Sequence, residues 1–378
     1  MSEPQKGQLF KDDFLEADCR QSIYKIDPKE KMQTTLTFPI VIGGDEVPRV
    51  IEMELQDPIR YDGNFFTKQD VILTKEKTRL TVKTNRLLYD QWPTEIILLS
   101  EMEPHINVIE LINYSKSIHK SRMNIFLEFI GPTLRNLLDE YKDKNQLFPY
   151  IHVKTYMVQL LRGLGHLHSY KVCHRSILPE KIVINKEKML LKITDLDCSV
   201  KLPEGKAKFE GCELTHYVAP ELLLRACCYD LSIDIWSVGC ILGELLNKNT
   251  PLISGSTEIE VFHSVKKLLG SPKLDDVKDM GFPEDVFFIL IKKKKFSTLR
   301  KICSDLRPED LEFLEELLQY SPMKRPAPLS LLNHKFFLKL RDPTVLYLDD
   351  QVLPELFKFT ERELEIQPEL ERICTNHT

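Results

Sequence analysis

Glycine is scarce in this chain. It accounts for 14 of 378 residues, about 4%, against an average usage of about 7%. Phosphate-wrapping loops need glycine, because a residue without Cβ lets backbone N–H groups close over an anion. The shortage argues against several such loops and excludes collagen-like repeats and Gly/Ser linkers. Long apolar runs are missing as well, and none approaches the ~18 residues of a membrane span. The opening stretch, Met1 to Arg20, has no basic segment followed by an apolar one, which predicts no secretory signal. The nine cysteines are odd in number and include no Cys-x-x-Cys pair. That argues against a disulfide framework or a structural zinc site and predicts a reduced compartment, the cytoplasm with the nucleus as an alternative. Neither sign of charge dominates: 52 basic residues face 57 acidic ones, a net charge of −5. Nucleic acid and anionic membrane are therefore not expected as partners. The one basic run, Lys292 to Lys295, reads as a solvated loop, with a docking patch as the alternative.

What is present is ordinary for a folded chain, with 42% hydrophobic and 29% charged residues. The length suits two domains or one large bilobal unit. Residues 1–33 are polar and read as a flexible tail. Strand-like alternation appears at Thr34–Phe38, Val50–Leu55, Val71–Leu73 and Arg79–Lys83. Glu95–Met102 reads as a short helix with Ile96, Leu99 and Met102 on one side, stopped by Pro104. Val108–Tyr114 and Met123–Phe129 are strand-like again. After Gly131-Pro132 the texture changes. Leu134–Tyr141 and His152–Tyr170 have helical spacing, Ile182–Ile184 and Leu190–Ile193 read as a short hairpin, and from Asp230 the chain is mostly helical. This predicts an α+β plan: a β-rich N-terminal lobe over 34–130, a hinge near Glu128–Gly131, a helical lobe over 131–340, and an extension over 341–378.

Five segments are specific. Cys173-His174-Arg175-Ser176-Ile177-Leu178-Pro179-Glu180-Lys181 running on to Asn185 resembles the protein-kinase catalytic loop. Thr194-Asp195-Leu196-Asp197 stands where the metal-binding Asp-Phe-Gly would be. Tyr217-Val218-Ala219-Pro220-Glu221 resembles the Ala-Pro-Glu segment. Asp234 to Ile241 resembles the buried helix that follows, and Lys324-Arg325-Pro326 the late arginine motif. His334 to Pro343, Leu356 to Leu364 and Ile151 to Leu160 are similar to glycogen synthase kinase-3 in particular. The resemblance runs from about Thr34 to Ile373 and implies a bilobal kinase fold with ATP and Mg²⁺ in its cleft.

Several functional positions match that family. Lys83 stands for the strand lysine on the α/β-phosphates, and Glu95 for its helix partner; each also reads as a surface charge. Gly63 is the last glycine of the phosphate loop. Leu127 and Phe129 fall in the adenine-binding hinge, and Asp195 is the metal ligand. His174, Leu196 and Leu99 match a hydrophobic spine. Asp234 matches the anchor of the catalytic loop, and Glu221 with Arg325 a buried ion pair.

Other positions depart from it. Ser176 replaces the catalytic aspartate, and loss of a general base typically costs about 10²–10⁴-fold in rate. Leu178 replaces the lysine that would reach the γ-phosphate. Lys181 replaces the asparagine of the second metal, and Asp197 the glycine of Asp-Phe-Gly. These four changes sum to no net charge, so charge is moved rather than removed. Thr81 replaces the small residue over adenine. Of three basic residues that would grip a primed phosphate, only Arg175 remains, with Lys201 as a substitute beside Val200; Arg175 also reads as structural. The activation-loop tyrosine falls at Gly211. Phe262, Phe287 and Phe288 would line a groove for a scaffold helix, or else pack internally. The resemblance therefore predicts a pseudokinase that binds a scaffold helix or a primed phosphoprotein. The alternative is a weakly active serine/threonine kinase.

Overall fold

The computed structural model describes residues 35–40, 49–55, 60–62, 66–73, 79–86, 92–116, 122–202, 204–208, 215–283, 296–341, 347–348, 351–352 and 354–374. The chain divides into two compact units. The first runs to His105 and includes Ile109–Phe129; the second comprises Ile106–Val108 and the chain from Ile130 onward.

The first unit is a seven-stranded antiparallel sheet with one helix. Its strands are β1 (Thr35–Ile40), β2 (Arg49–Leu55), β3 (Arg60–Asp62), β4 (Phe66–Leu73), β5 (Arg79–Arg86), β6 (Leu111–Lys116) and β7 (Arg122–Glu128). They lie in the order β1-β2-β4-β5-β7-β6, with β3 also on β4. The alternation at Val71–Leu73 marks only the end of β4. Thr67 to Asp70 are polar, and unbroken pairing with β5, from Phe66↔Asn85 to Ile72↔Arg79, makes them strand. On β5, Thr81 and Lys83 stand opposite Leu127 and Ile125 of β7. Directly paired residues share a face, so these four side chains line one side of the sheet. All four are buried, and Leu80, Val82 and Phe126 are buried too. Polar groups in such a place need partners.

Helix α1 (Thr94–Glu101) buries Glu95, Ile96 and Leu98. Two of the expected stripe, Ile96 and Met102, are buried and Leu99 is half-buried; Glu95 and Leu98 widen the buried face. Strand β6 begins at Leu111 rather than Val108 because Val108 belongs to the second unit. There it makes a parallel bridge to Ile193, whose N–H donates to the Asn107 carbonyl at 2.9 Å.

The second unit is helical. Helix α2 (Leu134–Asp143) starts at a capping box: Thr133 Oγ1 accepts from Asn136 N, and Asn136 Oδ1 accepts from Thr133 N at 3.0 Å. Helix α3 (Tyr150–Ser169) is buried from Val153 to Leu167. It packs on the hairpin of β9 (Ile182–Asn185) and β10 (Leu190–Ile193), which form the antiparallel pair the alternation predicts. Strand β8 (Val172–Cys173) pairs with β11 (Val200–Lys201). The short helix α4 (Pro220–Leu223) is followed by α5 (Ser232–Leu246), which is buried from Ile233 to Leu245. Helices α6 (Glu258–Leu269) and α7 (Leu274–Asp279) come next.

Two of the few glycines explain their own retention. Gly131 has φ +155°, and a Cβ there would lie 2.3 Å from the Ile184 carbonyl oxygen. A Cβ on Gly163 would lie 2.5 Å from the Asn107 carbonyl oxygen. Both are sites of close backbone approach.

The C-terminal residues belong to this unit. Arg162 of α3 forks onto Glu363 at 2.7 and 2.8 Å and donates to the carbonyls of Leu356 and Lys358. Both charged groups are nearly inaccessible, at 3% and 2%. No helix among the described residues is long and apolar enough to cross a membrane.

Candidate functional site

The first unit contributes a buried ion pair. Lys83 Nζ lies 2.9 Å from Glu95 Oε2, and both side chains are fully buried. Strand β5 delivers the lysine and the first turn of α1 the glutamate, where the helix dipole favours an anion. A lone buried charge would be expelled or neutralised; the pair satisfies both groups. Beside it, Thr81 donates to Asp70 Oδ1 at 2.9 Å across the β4–β5 pair. The Thr81 hydroxyl is thereby occupied inside the sheet. Asp70 also faces Arg79, whose guanidinium lies 3.7 Å from the Phe129 ring centroid. Leu127 is buried and Phe129 half-buried. Gly63 lies outside the described residues, between β3 and β4.

The second unit contributes the loop around Ser176, and Asp234 organises it. Its carboxylate accepts from the backbone N–H of His174 at 2.8 Å and of Arg175 at 2.9 Å. It also lies 3.0 Å from His168 Nε2. Burial opposes its charge, but the His168 contact and these donors outweigh burial and hold its pKa below the usual carboxylate value. The Arg175 N–H bond helps to hold that residue at φ +66°, a left-handed conformation.

His174 is wholly buried, and burial pulls its pKa down. Its Nδ1 accepts from Ser176 N at 3.3 Å, so Nε2 carries the proton and donates to the Thr194 carbonyl at 3.1 Å. The neutral ring thus joins the Ser176 loop to the segment that leads into Asp195. Leu196 is buried.

Asp195 is buried and also left-handed, at φ +61°. A carboxylate oxygen of Asp195 and one of Asp197 lie within 4.8 Å of each other. Two hard oxygens at that spacing suit a divalent cation such as Mg²⁺, which takes one or two carboxylates and fills its shell with water and phosphate. Lys181 ends the turn Pro179–Lys181, and its ammonium lies 3.9 Å from Cys198 Sγ. Thr194 N donates to its carbonyl at 3.0 Å, so Lys181 is fixed to the residue before Asp195.

Ser176 and Leu178 open onto a cleft of about 280 Å³, shared with Arg175, Cys198, Tyr217 and Ala219. The Arg175 guanidinium sits 5.7 Å from the Tyr229 ring centroid. Lys201 is exposed on β11. Glu221 and Arg325 form a buried fork at 2.6 and 2.8 Å. Arg325 also donates to the carbonyls of Gln319, Ser232 and Tyr320, so all five of its N–H groups are used.

On α6, Phe262 and Val265 are buried, with the Phe262 ring against Tyr320, while Ile259 is exposed. Phe262 therefore packs internally rather than lining a groove. Phe287, Phe288, Gly211 and Lys292 to Lys295 lie outside the described residues.

Sequence reasoning missed Arg135. It donates to Glu180, Glu244 and Tyr217, the last two 109 and 82 residues away. Nothing in the local pattern of α2 signals these partners.

A sheet unit with a strand lysine paired to a helix glutamate, and a helical unit with an Asp-anchored loop beside two carboxylates, are the parts of a kinase-type fold. Residues 67–337, well over half the chain, match the family model described as protein kinase domain. The chain belongs to the protein kinase domain family.

Proposed function

We propose that this protein is a pseudokinase of the glycogen synthase kinase-3 type that acts by binding other proteins. The carrying observation is Ser176, half-buried at the mouth of the cleft, with Leu178 beside it. A hydroxyl and an alkyl chain stand where the family places a general base and a phosphate-binding cation. Neither accepts a proton from an attacking hydroxyl or offsets charge on a transferring phosphoryl group. The supporting frame is intact: the Asp234 anchor and the Glu221–Arg325 fork hold a fold that needs no chemistry to be useful.

The partner we infer is a protein, either a scaffold helix or a primed phosphoprotein. Arg175 and the exposed Lys201 are the basic residues that the resemblance assigns to a primed phosphate, and α6 carries the exposed Ile259. A cytoplasmic or nuclear setting suits such a partner.

A second reading has its own support. Lys83–Glu95 and the Asp195–Asp197 pair are the parts that would hold ATP and Mg²⁺, and Lys181 brings a cation to the same loop. A slow serine/threonine kinase would use them. Transfer of radiolabel from ATP by the purified protein, with Asp195→Ala as control, decides between the two. Transfer that disappears in the control overturns the pseudokinase reading. Nucleotide binding is read separately by melting with Mg-ATP and with ATP alone, because a ligand at 100 times its Kd stabilises by about 2.7 kcal/mol.

A further inference from the structure

Tyr217 forms one wall of the cleft and is tied down at both ends. Its carbonyl accepts from Ser237 Oγ of α5 at 2.8 Å. Its hydroxyl donates to Glu244 Oε2 of α5 at 2.5 Å and accepts from Arg135 Nη2 at 2.8 Å. Arg135 also donates through Nη1 to Glu244 Oε1 and through Nε to Glu180 Oε1, both at 2.9 Å. One planar fork therefore meets α5, the Tyr217 wall and the Pro179–Lys181 turn. Glu244 is fully buried, so it needs this cation. Burial opposes the Arg135 charge, but the Glu244 hydrogen bond and the surrounding negative groups outweigh it and raise its pKa. Burial, then the Glu244 charge, pushes the Tyr217 phenol up and keeps it a neutral donor.

We propose that Arg135 is a positioning residue for the cleft, holding the Tyr217–Ala219 wall and the Pro179–Lys181 turn in one arrangement before any partner arrives. This goes beyond the binding reading, since it requires neither nucleotide nor an identified partner. The Ala219 carbonyl accepts from Leu222 N at 3.0 Å and Leu223 N at 3.1 Å, but at its N-terminal end the backbone holds this wall weakly. Tyr217 N reaches Thr215 Oγ1 at 3.3 Å, and Val218 N reaches the Thr215 carbonyl at 3.4 Å. The side-chain lock supplies what those long bonds do not.

Hydrogen exchange read by mass spectrometry tests the lock on the full chain. Arg135→Met strands Glu244 and threatens the fold, so Tyr217→Phe is the primary variant. It removes one hydroxyl and keeps the Arg135–Glu244 pair. Exchange at Tyr217 and Val218 should rise about 5- to 10-fold, the worth of one net hydrogen bond, while Ile235–Leu242 of α5 stays within about twofold. Arg135→Lys keeps the charge but not the fork and should show the same local rise. Unchanged exchange at Tyr217–Val218 in Tyr217→Phe overturns the proposal, as does an equal rise throughout α5. Wild-type protection in Arg135→Lys overturns it too, because charge alone would then suffice.

Discussion

Replacing Asp234 by asparagine tests the organisation of the Ser176 loop most directly. The carboxylate is 1% exposed. Its Oδ1 serves Arg175 N, and its Oδ2 serves His174 N and His168 Nε2. Asparagine has one acceptor oxygen. Placed at the Oδ2 position, that oxygen keeps two contacts and turns an NH₂ group onto Arg175 N. A charge-assisted bond is worth about 1.5–3 kcal/mol, and the two remaining bonds fall to neutral strength. Arg175 also loses an anchor of its left-handed backbone, itself about 1–2 kcal/mol uphill. The expected loss is about 3–5 kcal/mol by chemical denaturation near neutral pH, summed from those terms.

The same substitution has a pH signature. The folded carboxyl titrates below its ordinary value of 3.8. Its stabilisation is therefore complete above that value and is lost as pH falls through the lower, folded one. The wild-type advantage over Asp234→Asn should shrink in acid, below about pH 4. An advantage that stays constant from neutral pH into that range refutes the reasoning, as does a neutral-pH loss under about 1 kcal/mol.

Three further outcomes follow from single contacts. Lys83→Met leaves Glu95 buried without its cation and should cost about 3–5 kcal/mol by urea unfolding; adding Glu95→Leu should recover at least half, and no recovery removes the ion pair as the cause. Gly131→Ala sets a methyl against the Ile184 carbonyl at 2.3 Å and should cost about 2 kcal/mol or more, read as a fall in Tm. Arg162→Met strands Glu363 and should expose Leu356–Glu363 to limited proteolysis, with a stability loss of about 3–5 kcal/mol; unchanged cleavage would show that this segment is held by its apolar contacts.

Helices and the hairpin were legible in the sequence wherever one residue type repeats at a fixed period. The spacing of Tyr156, Leu160, Leu164 and Leu167 announces α3, and the two apolar runs around Asn185 announce β9 and β10. Polar strand residues hid the start of β4, because backbone pairing rather than an apolar alternation marks Thr67 to Asp70 as strand. On α1, Ile96 and Met102 are buried as the stripe predicts, but the buried face also takes in Glu95, which a pattern of apolar residues cannot include. Motifs of adjacent residues mark the candidate positions of the site. The contacts that set their geometry join residues tens of positions apart, as Arg135 does with Tyr217 and Glu244, and no local period encodes them.

The scarcity of glycine has a similar logic. Gly131 and Gly163 sit where a Cβ would strike a backbone carbonyl, so replacement there damages packing directly. A glycine that lets a loop close over phosphate is different, because its loss weakens ligand binding and leaves the core untouched. Asp197 stands where the kinase resemblance places such a glycine. It is half-buried in the short turn after Asp195, and the turn closes with Ser199 N donating to the Leu196 carbonyl at 3.0 Å. Residues that hold the core and residues that face a ligand are therefore separable by assay. The Glu221–Arg325 fork and the Asp234 anchor lie on the stability side of that division, and Ser176 and Leu178 on the other. Substitutions in the first group should therefore be read as losses of folded protein, and substitutions in the second as changes of affinity at unchanged Tm.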